Sequence, residues 1–301
     1  AETLPPPKNP VTGRVLDQQS VLSVAELDAF DAFFTDLYAG AEAMGIPAQA
    51  AICEAGLGQF EINLNHQDAL TAADDAWLFK TLVRGLARKH GFAATFMAKP
   101  FAAEAGNGMH VHFSVVDGDG NNIFNDGSDE GSDLLRQAVA GCLAAMPAST
   151  LVFAPTVNSY ARLVPSAHAP TGAAWGYENR TAAIRIPGGA SAARQIEHHV
   201  AGGDINPYLM LATVLGAALL GIEDGMEPPA PITGNAYEIT DLPQLAPDWD
   251  AAIRAFENDP LIARILPRMM IRNLVITKRQ ELAEFANRPA DSHWLSLLEA
   301  V

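Results

Sequence analysis

The stretch RQIEHHVAGGDINPYL, residues 194–209, changes period part-way along, and that change decides the fold. From Arg194 to Val200, Gln195, Glu197 and His199 alternate with Ile196, His198 and Val200. Alternation with period two is the strand signature, and it sets a polar row on one face of a sheet above a second row on the other. Asn206 and Pro207 then read as the cap and first residue of a helix, where a missing N–H costs nothing. The apolar run Tyr208 to Ile222 that follows is shorter than the roughly 20 residues a membrane span needs, so it predicts a buried core helix.

The same alternation recurs upstream. Phe60, Ile62 and Leu64 alternate with Gln59, Glu61 and Asn63, and His110, His112 and Ser114 alternate with Val111 and Phe113. Rows of this kind side by side would build a polar, ligand-binding sheet face. Helical spacing fills the gaps. Ser23 and Glu26 make a capping-box pattern ahead of Leu27, Phe30, Phe34, Leu37 and Ala41, with Gly45 and Pro47 as the stop. A second helix is predicted after Thr71 and Asp74 with Trp77, Leu78, Leu82 and Leu86 apolar, and a third from about Ser132 to Met146, stopped by Pro147. The tail from about Trp249 to Leu298 repeats helical spacing. Residues 1–20 are proline-rich and without period, a linker or extended lead-in, which leaves 21–301 as one domain.

Composition narrows the function classes. A chain of 301 residues with 49% hydrophobic content can fill a substantial core. Nineteen basic against 35 acidic side chains give a net charge of -16, which repels nucleic acid and anionic membranes. Cys53 and Cys142 form no C-x-x-C pair, so neither a disulfide framework nor a zinc site is implied and a reducing cytoplasm fits. The first residues lack the basic flank and apolar run of a signal peptide, and no transmembrane segment is expected.

Three groups of residues could carry chemistry. In EAGLGQFE, Glu54 and Glu61 flank Gly56 and Gly58, and the glycines permit a turn that brings both carboxylates to one side. Hard cations such as Mg²⁺ take oxygen ligands of this sort, although two glutamates alone read more readily as a solvated edge strand. GNGMHVHFS offers His110 and His112 on one strand face, which suits a metal or phosphate site as well as two structural histidines. Arg162 in NSYARLVP, and Arg180 and Arg185 in WGYENRTAAIRIP, are planar cations in segments otherwise poor in charge.

Taken in order, EAGLGQFE, KPFAAEAGNGMHVHFS, NSYARLVP, WGYENRTAAIRIP and RQIEHHVAGGDINPYL resemble the glutamine synthetase superfamily from roughly Val21 to the C-terminus. The words IEH, VAG and NPYL, with APTGAAWGY upstream, are more similar to its γ-glutamylpolyamine and γ-glutamylamine ligases than to the ammonia-using enzymes. The resemblance implies an α+β catalytic domain, an antiparallel sheet carrying the site and wrapped by helices. It implies an ATP-dependent ligase with Mg²⁺ or Mn²⁺ that makes a γ-glutamyl amide from glutamate and an amine through γ-glutamyl phosphate, in a homo-oligomer. On the same basis Glu54 and Glu61 bind one metal, and His110 and Glu197 the second. His112, Ser114, Arg180 and Arg185 face the nucleotide, Arg180 also acting catalytically on the transferred phosphoryl group. Gly106, Arg162 and His199 hold the amino-acid substrate.

Several positions depart from the family pattern. His168 stands where ammonia-using enzymes carry a flap glutamate, and is expected to act on an organic amine. His199 and Gln195 replace arginines, and Ala105 an asparagine. The E-x-E strand that gives each metal a further glutamate, and the β-grasp domain before it, are not in this sequence, so a fragment of a longer chain is expected. A non-catalytic nucleotide, amino-acid or amine sensor and an ordinary glutamine synthetase are the competing expectations. With two protein ligands per metal, the 301-residue chain by itself should release little or no phosphate from ATP in the presence of glutamate and an amine. Robust amine-dependent turnover by it alone would show that other residues complete the sites.

Overall fold

The protein is described by a computed structural model covering residues 4–165, 167 and 169–301. Two compact units divide it, Ala1–Asn107 with Arg288–Val301, and Gly108–Asn287.

In the first unit Ser23 Oγ accepts from the Glu26 amide at 3.2 Å and starts α1, Val24–Ala29. The single helix expected here breaks at Phe30, which leaves helical geometry and serves as C-cap of α1 and N-cap of α2, Asp31–Met44. Its ring packs edge-on against Phe60 at 5.0 Å and Phe92 at 5.8 Å. Gly45 closes α2 in the left-handed conformation, φ 73°, as a glycine there can without strain. β1, Ala48–Cys53, and β2, Phe60–Leu64, form an antiparallel hairpin with Ile52 opposite Glu61. Phe60, Ile62 and Leu64 pack on Phe30, Phe33, Phe34 and Leu37 of a small core, while Glu61 and Asn63 face outward. α3, Ala69–Lys89, starts earlier than expected because Asp68 Oδ1 caps the Leu70 and Thr71 amides. It buries Ala73, Ala76 and Phe79, whereas Trp77 and Leu78 are exposed. Upstream, Lys8 and Val15 form an isolated bridge, and Leu16 packs on the same core.

The second unit holds the larger core. Its strands are β3, Val111–Phe113, β4, Trp175–Tyr177, β5, Ile184–Ile186, and β6, Ile196–His198. They form a four-stranded sheet in the order β3-β6-β5-β4. β6 is antiparallel to both neighbours, and β4 runs parallel to β5. The α+β architecture is as expected, with this one parallel pair added. Val111, Ile184, Ile186 and Ile196 turn into a core built with two long helices, α4, Asp133–Phe153, and α5, Pro207–Glu223. Asn206 caps α5 with Pro207 at its first position, as the sequence predicts. Helices Trp249–Asn258, Pro260–Ile265 and Arg268–Ala286 complete the unit.

Pro147 does not stop α4, contrary to the sequence reading; the helix runs through it to Phe153. Proline forfeits one intrahelical bond, but Val152, Leu151 and Phe153 beyond it are buried in the core, and that burial outweighs the lost bond. α4 is long and apolar enough to cross a membrane by composition alone, yet 78% of its apolar window is buried inside the protein. Cys53 and Cys142 are free and buried, which agrees with the absence of a disulfide framework.

α4 and α5 touch backbone to backbone at Gly141 and Gly221. A Cβ on Gly141 would lie 2.1 Å from the Ala217 carbonyl oxygen, and one on Gly221 2.1 Å from that of Gln137. Neither oxygen can yield without breaking its helix. Gly141→Ala should therefore lower unfolding stability by about 3 kcal/mol or more. Gly85→Ala, exposed on α3 with no atom within 4 Å of its Cβ position, should raise it by roughly 0.5–1 kcal/mol. Urea midpoints measure both, and equal midpoints for Gly141→Ala and wild type would contradict the close crossing.

Candidate active site

β6 lies between β3 and β5, and Glu197 at its centre is the register partner of His112 on one side and Arg185 on the other. The alternation read from the sequence thus becomes a cross-strand row of imidazole, carboxylate and guanidinium. Arg185 Nη1 donates to Glu197 Oε2 at 3.0 Å, and Nη2 reaches the Glu178 carboxylate at 3.3 Å. The other carboxylate oxygen, Oε1, faces three rings: His199 Nε2 at 2.9 Å, His112 Nε2 at 3.3 Å and His110 Nδ1 at 3.5 Å. His110 and His199 lie ring to ring at 4.5 Å. Glu197 and His199 form a buried floor, and His110 and His112 stand exposed above it.

Charge on this floor is maintained by its neighbours. Burial alone pushes the Glu197 carboxyl up, but the His112 and His199 rings outweigh burial and hold it below the ordinary carboxylate range. His110 is held below the ordinary imidazole range, first because the protein around it disfavours charge and then because a charged His199 would repel it. His198 points the other way, against Phe153 in the core, and burial pushes it down to about 3, so it stays neutral and structural.

His110, Glu197 and His199 each offer one ligand atom, and these atoms lie within 4.8 Å of one another. Neutral imidazole and carboxylate are donors that a divalent cation takes. The His199 Nε2 atom is buried without a hydrogen-bond partner, an orphan that a cation would satisfy. The donor set therefore fits a metal ion.

Beside the row, Tyr177, Glu178, Asn179 and Arg180 line a polar cleft of about 280 Å³ with Ile232, Thr233 and Gly234. Asn179 Nδ2 ties the two walls by donating to the Ile232 and Gly234 carbonyls. Glu178 adopts φ 52°, in the left-handed region that few non-glycine residues enter. Its carboxylate accepts from the Gly188 amide and from Arg185, and those two contacts lower its pKa, the amide foremost.

Over residues 1–296 the chain matches the family described as glutamine synthetase, catalytic domain. This chain belongs to that family. It is 41% identical over 283 residues to γ-glutamylputrescine synthetase PuuA of Escherichia coli K12, covering 94% of this chain and 60% of that protein. It is 37% identical over 287 residues to a glutamine synthetase of Halobacterium salinarum, covering 92% and 63%. Among solved structures, the GmaS/ADP complex superposes with a TM-score of 0.82 at 30% identity, over 94% of this chain and 67% of that one. The chain thus spans about 60% of the length of the curated relatives it matches.

The other residues expected for a glutamine synthetase site are placed as follows. Glu54 and Glu61 lie in the first unit, Glu54 one residue past the end of β1 and Glu61 in β2 opposite Ile52. The loop between them is closed by Glu54 donating its amide to Gln59 and by Gln59 Oε1 accepting from Gly56. The Gln59 amide also reaches the Gly106 carbonyl at 3.0 Å and Asn107 at 2.6 Å, which fixes the Gly106 backbone within the same unit. Ser114 is exposed one residue past β3, on the His110 and His112 face. Arg180 is exposed in the cleft. Arg162 is buried, its pKa pushed down to about 10 by burial, and donates to the Val200 and His199 carbonyls at 2.8 and 3.3 Å. Two of its five donors therefore brace the strand end that carries His199. His168 lies outside the described residues.

Sequence reasoning missed Glu178 and the convergence of His199 on Glu197. The first had no periodic signal; the second follows from His199 and Glu197 sharing a strand face, a parity that was visible. Glu197→Gln keeps the shape of the side chain and removes the counter-charge of Arg185. It should cost about 1–3 kcal/mol of stability, below the usual loss for a broken buried pair because Arg185 keeps Glu178. Urea unfolding of the metal-free protein measures it, and an unchanged midpoint would show that the pair does not hold β5 to β6.

Proposed function

We propose that this chain is the catalytic portion of a ligase that joins the γ-carboxyl of glutamate to a primary organic amine, with ATP as the source of drive and a divalent cation as cofactor. The observation that carries it is the row His112, Glu197, Arg185 beside the His110 and His199 rings, on a chain with 41% identity to a γ-glutamylputrescine synthetase across 94% of its length. Carboxylate is a poor acyl donor; phosphorylation by ATP turns it into an acyl phosphate that an amine can attack.

On this reading His110 and Glu197 hold one cation and Glu54 and Glu61 another, and the cations neutralise phosphate charge when bound. Arg180, in the cleft, and Arg185, bonded to Glu178 of its lining, meet nucleotide phosphates and the group in transfer. His112 and Ser114 stand on the exposed side of the same face. Arg162 in the second unit is assigned to the amino-acid substrate, and in the first unit so is the Gly106 backbone. His168 receives the amine, a titrating imidazole there suiting an organic amine better than ammonium. A cytoplasmic homo-oligomer fits two free, buried thiols and the family assignment.

The test is phosphate release by the full-length protein with ATP, glutamate and a panel of amines. A primary organic amine, putrescine included, should outpace ammonium at equal concentration by tenfold or more. Faster release with ammonium throughout would assign ordinary glutamine synthesis, and no release with any amine would favour a sensor that binds without turnover.

A further inference from the structure

The His199 ring poses a problem that the sheet does not solve. Its Nδ1 lies 2.9 Å from the Ala182 carbonyl oxygen. A carbonyl only accepts, so Nδ1 carries the proton, and in the neutral ring Nε2 is left as a bare lone pair. That Nε2 is 2.9 Å from Glu197 Oε1, yet it has no hydrogen-bond partner. In that tautomer the Nε2 lone pair is turned toward a carboxylate oxygen, and a cation bound beside the two atoms would accept from both.

The third donor is in place. His110 Nδ1 is 3.5 Å from the same Oε1, and all three ligand atoms lie within 4.8 Å of one another. Donors bound at about 2.0–2.2 Å in neighbouring coordination positions are roughly 2.9–3.6 Å apart; the two distances to Glu197 Oε1, 2.9 and 3.5 Å, fall in that range. The Ala182 contact is also the kind of hydrogen bond that would orient a metal-binding imidazole and fix its tautomer. His110 is exposed, so an ion can enter from its side.

We propose that His199 ligates, through Nε2, the divalent cation held by His110 and Glu197, so that this chain gives the ion two imidazoles and one carboxylate, a donor set that prefers Mn²⁺, Co²⁺ or Zn²⁺ to Mg²⁺. Mg²⁺ demands oxygen donors and gives up water reluctantly, whereas imidazole suits the transition ions. The proposal rests on the functional reading above for the presence of a resident cation. It departs from the substrate-binding role expected of His199, since the ring is turned to Glu197 and tied at its back to Ala182.

The experiment is Mn²⁺ binding to the full-length protein without nucleotide, followed by calorimetry and by pulsed electron paramagnetic resonance, which counts imidazole nitrogens coupled to the ion. The glutamate pair Glu54 and Glu61 contributes no nitrogen, so the count reports this site alone. Two coupled imidazoles are expected in wild type and one in His199→Phe. Mn²⁺ and Zn²⁺ affinities should fall at least tenfold in the variant while Mg²⁺ affinity changes less than threefold, with His66→Phe, an exposed histidine of the first unit, as control. One imidazole in wild type, or unchanged Mn²⁺ and Zn²⁺ affinity in a folded variant, would overturn the assignment. Should His199→Phe fail to fold, His199→Asn and the wild-type nitrogen count decide. Turnover is not part of the readout: two imidazoles on a protein that makes no amide would sink the ligase reading and leave the ligand assignment standing.

Discussion

A buried carboxylate must be answered by positive charge, and Glu197 is a buried carboxylate at the centre of a sheet. The answer is divided between its two oxygens. Oε2 is met by Arg185, whose permanent charge bonds β5 to β6 through side chains as well as backbone. Oε1 is met by three imidazoles, none of which carries a fixed charge. One side of the carboxylate is therefore answered by a permanent charge, and the other by rings whose charge depends on protonation. Breaking a buried pair by removing one partner is costly because it strands the other, so the sheet and the site constrain each other through a single side chain.

That sheet is made of three-residue strands in the second unit, too short to hold position unaided. Rigidity comes from beneath. α4 and α5 approach until Gly141 and Gly221 touch backbone to backbone, and Val111, Ile184 and Ile196 rest on the layer so formed. His198 shows the two faces sharply. It follows Glu197 by one residue, points into that core against Phe153, and is kept neutral by burial, while its neighbours on either side in sequence line the site.

Much of this was legible in sequence because the side-chain parity of strands is strict. Period two in residues 110–114 and 194–200 placed His110, His112, Glu197 and His199 on one face before any register was known. Caps were equally readable, Ser23 and Asn206 holding the amides that their positions predicted. The misses share a cause: tertiary packing overruled a local rule. Pro147 continues a helix because the turn after it is buried, and Phe30 breaks one because its ring is held by Phe60 and Phe92. Trp77 and Leu78 lie outside the buried face of α3, which Ala73, Ala76, Phe79 and Ala87 fill instead. Glu178 gave no signal, since a strained turn residue has no period to betray it.

His199 is where reading by resemblance and reading by geometry part. Resemblance puts it in place of an arginine, and an imidazole in that role is a loss: a fixed charge replaced by a neutral ring. Geometry gives the ring a different employment. Arg162 donates to the His199 carbonyl, Ala182 accepts from its Nδ1, and Nε2 is left facing Glu197 with nothing between. On the proposed reading the positive charge that a guanidinium would have brought would come instead with a divalent cation. The exchange makes charge at the floor conditional. A guanidinium stays charged at any ordinary pH, whereas a bound ion requires neutral imidazoles and competes with protons for them. The ligand atoms of His110, Glu197 and His199 lie within 4.8 Å of one another, so one ion could answer all three at once.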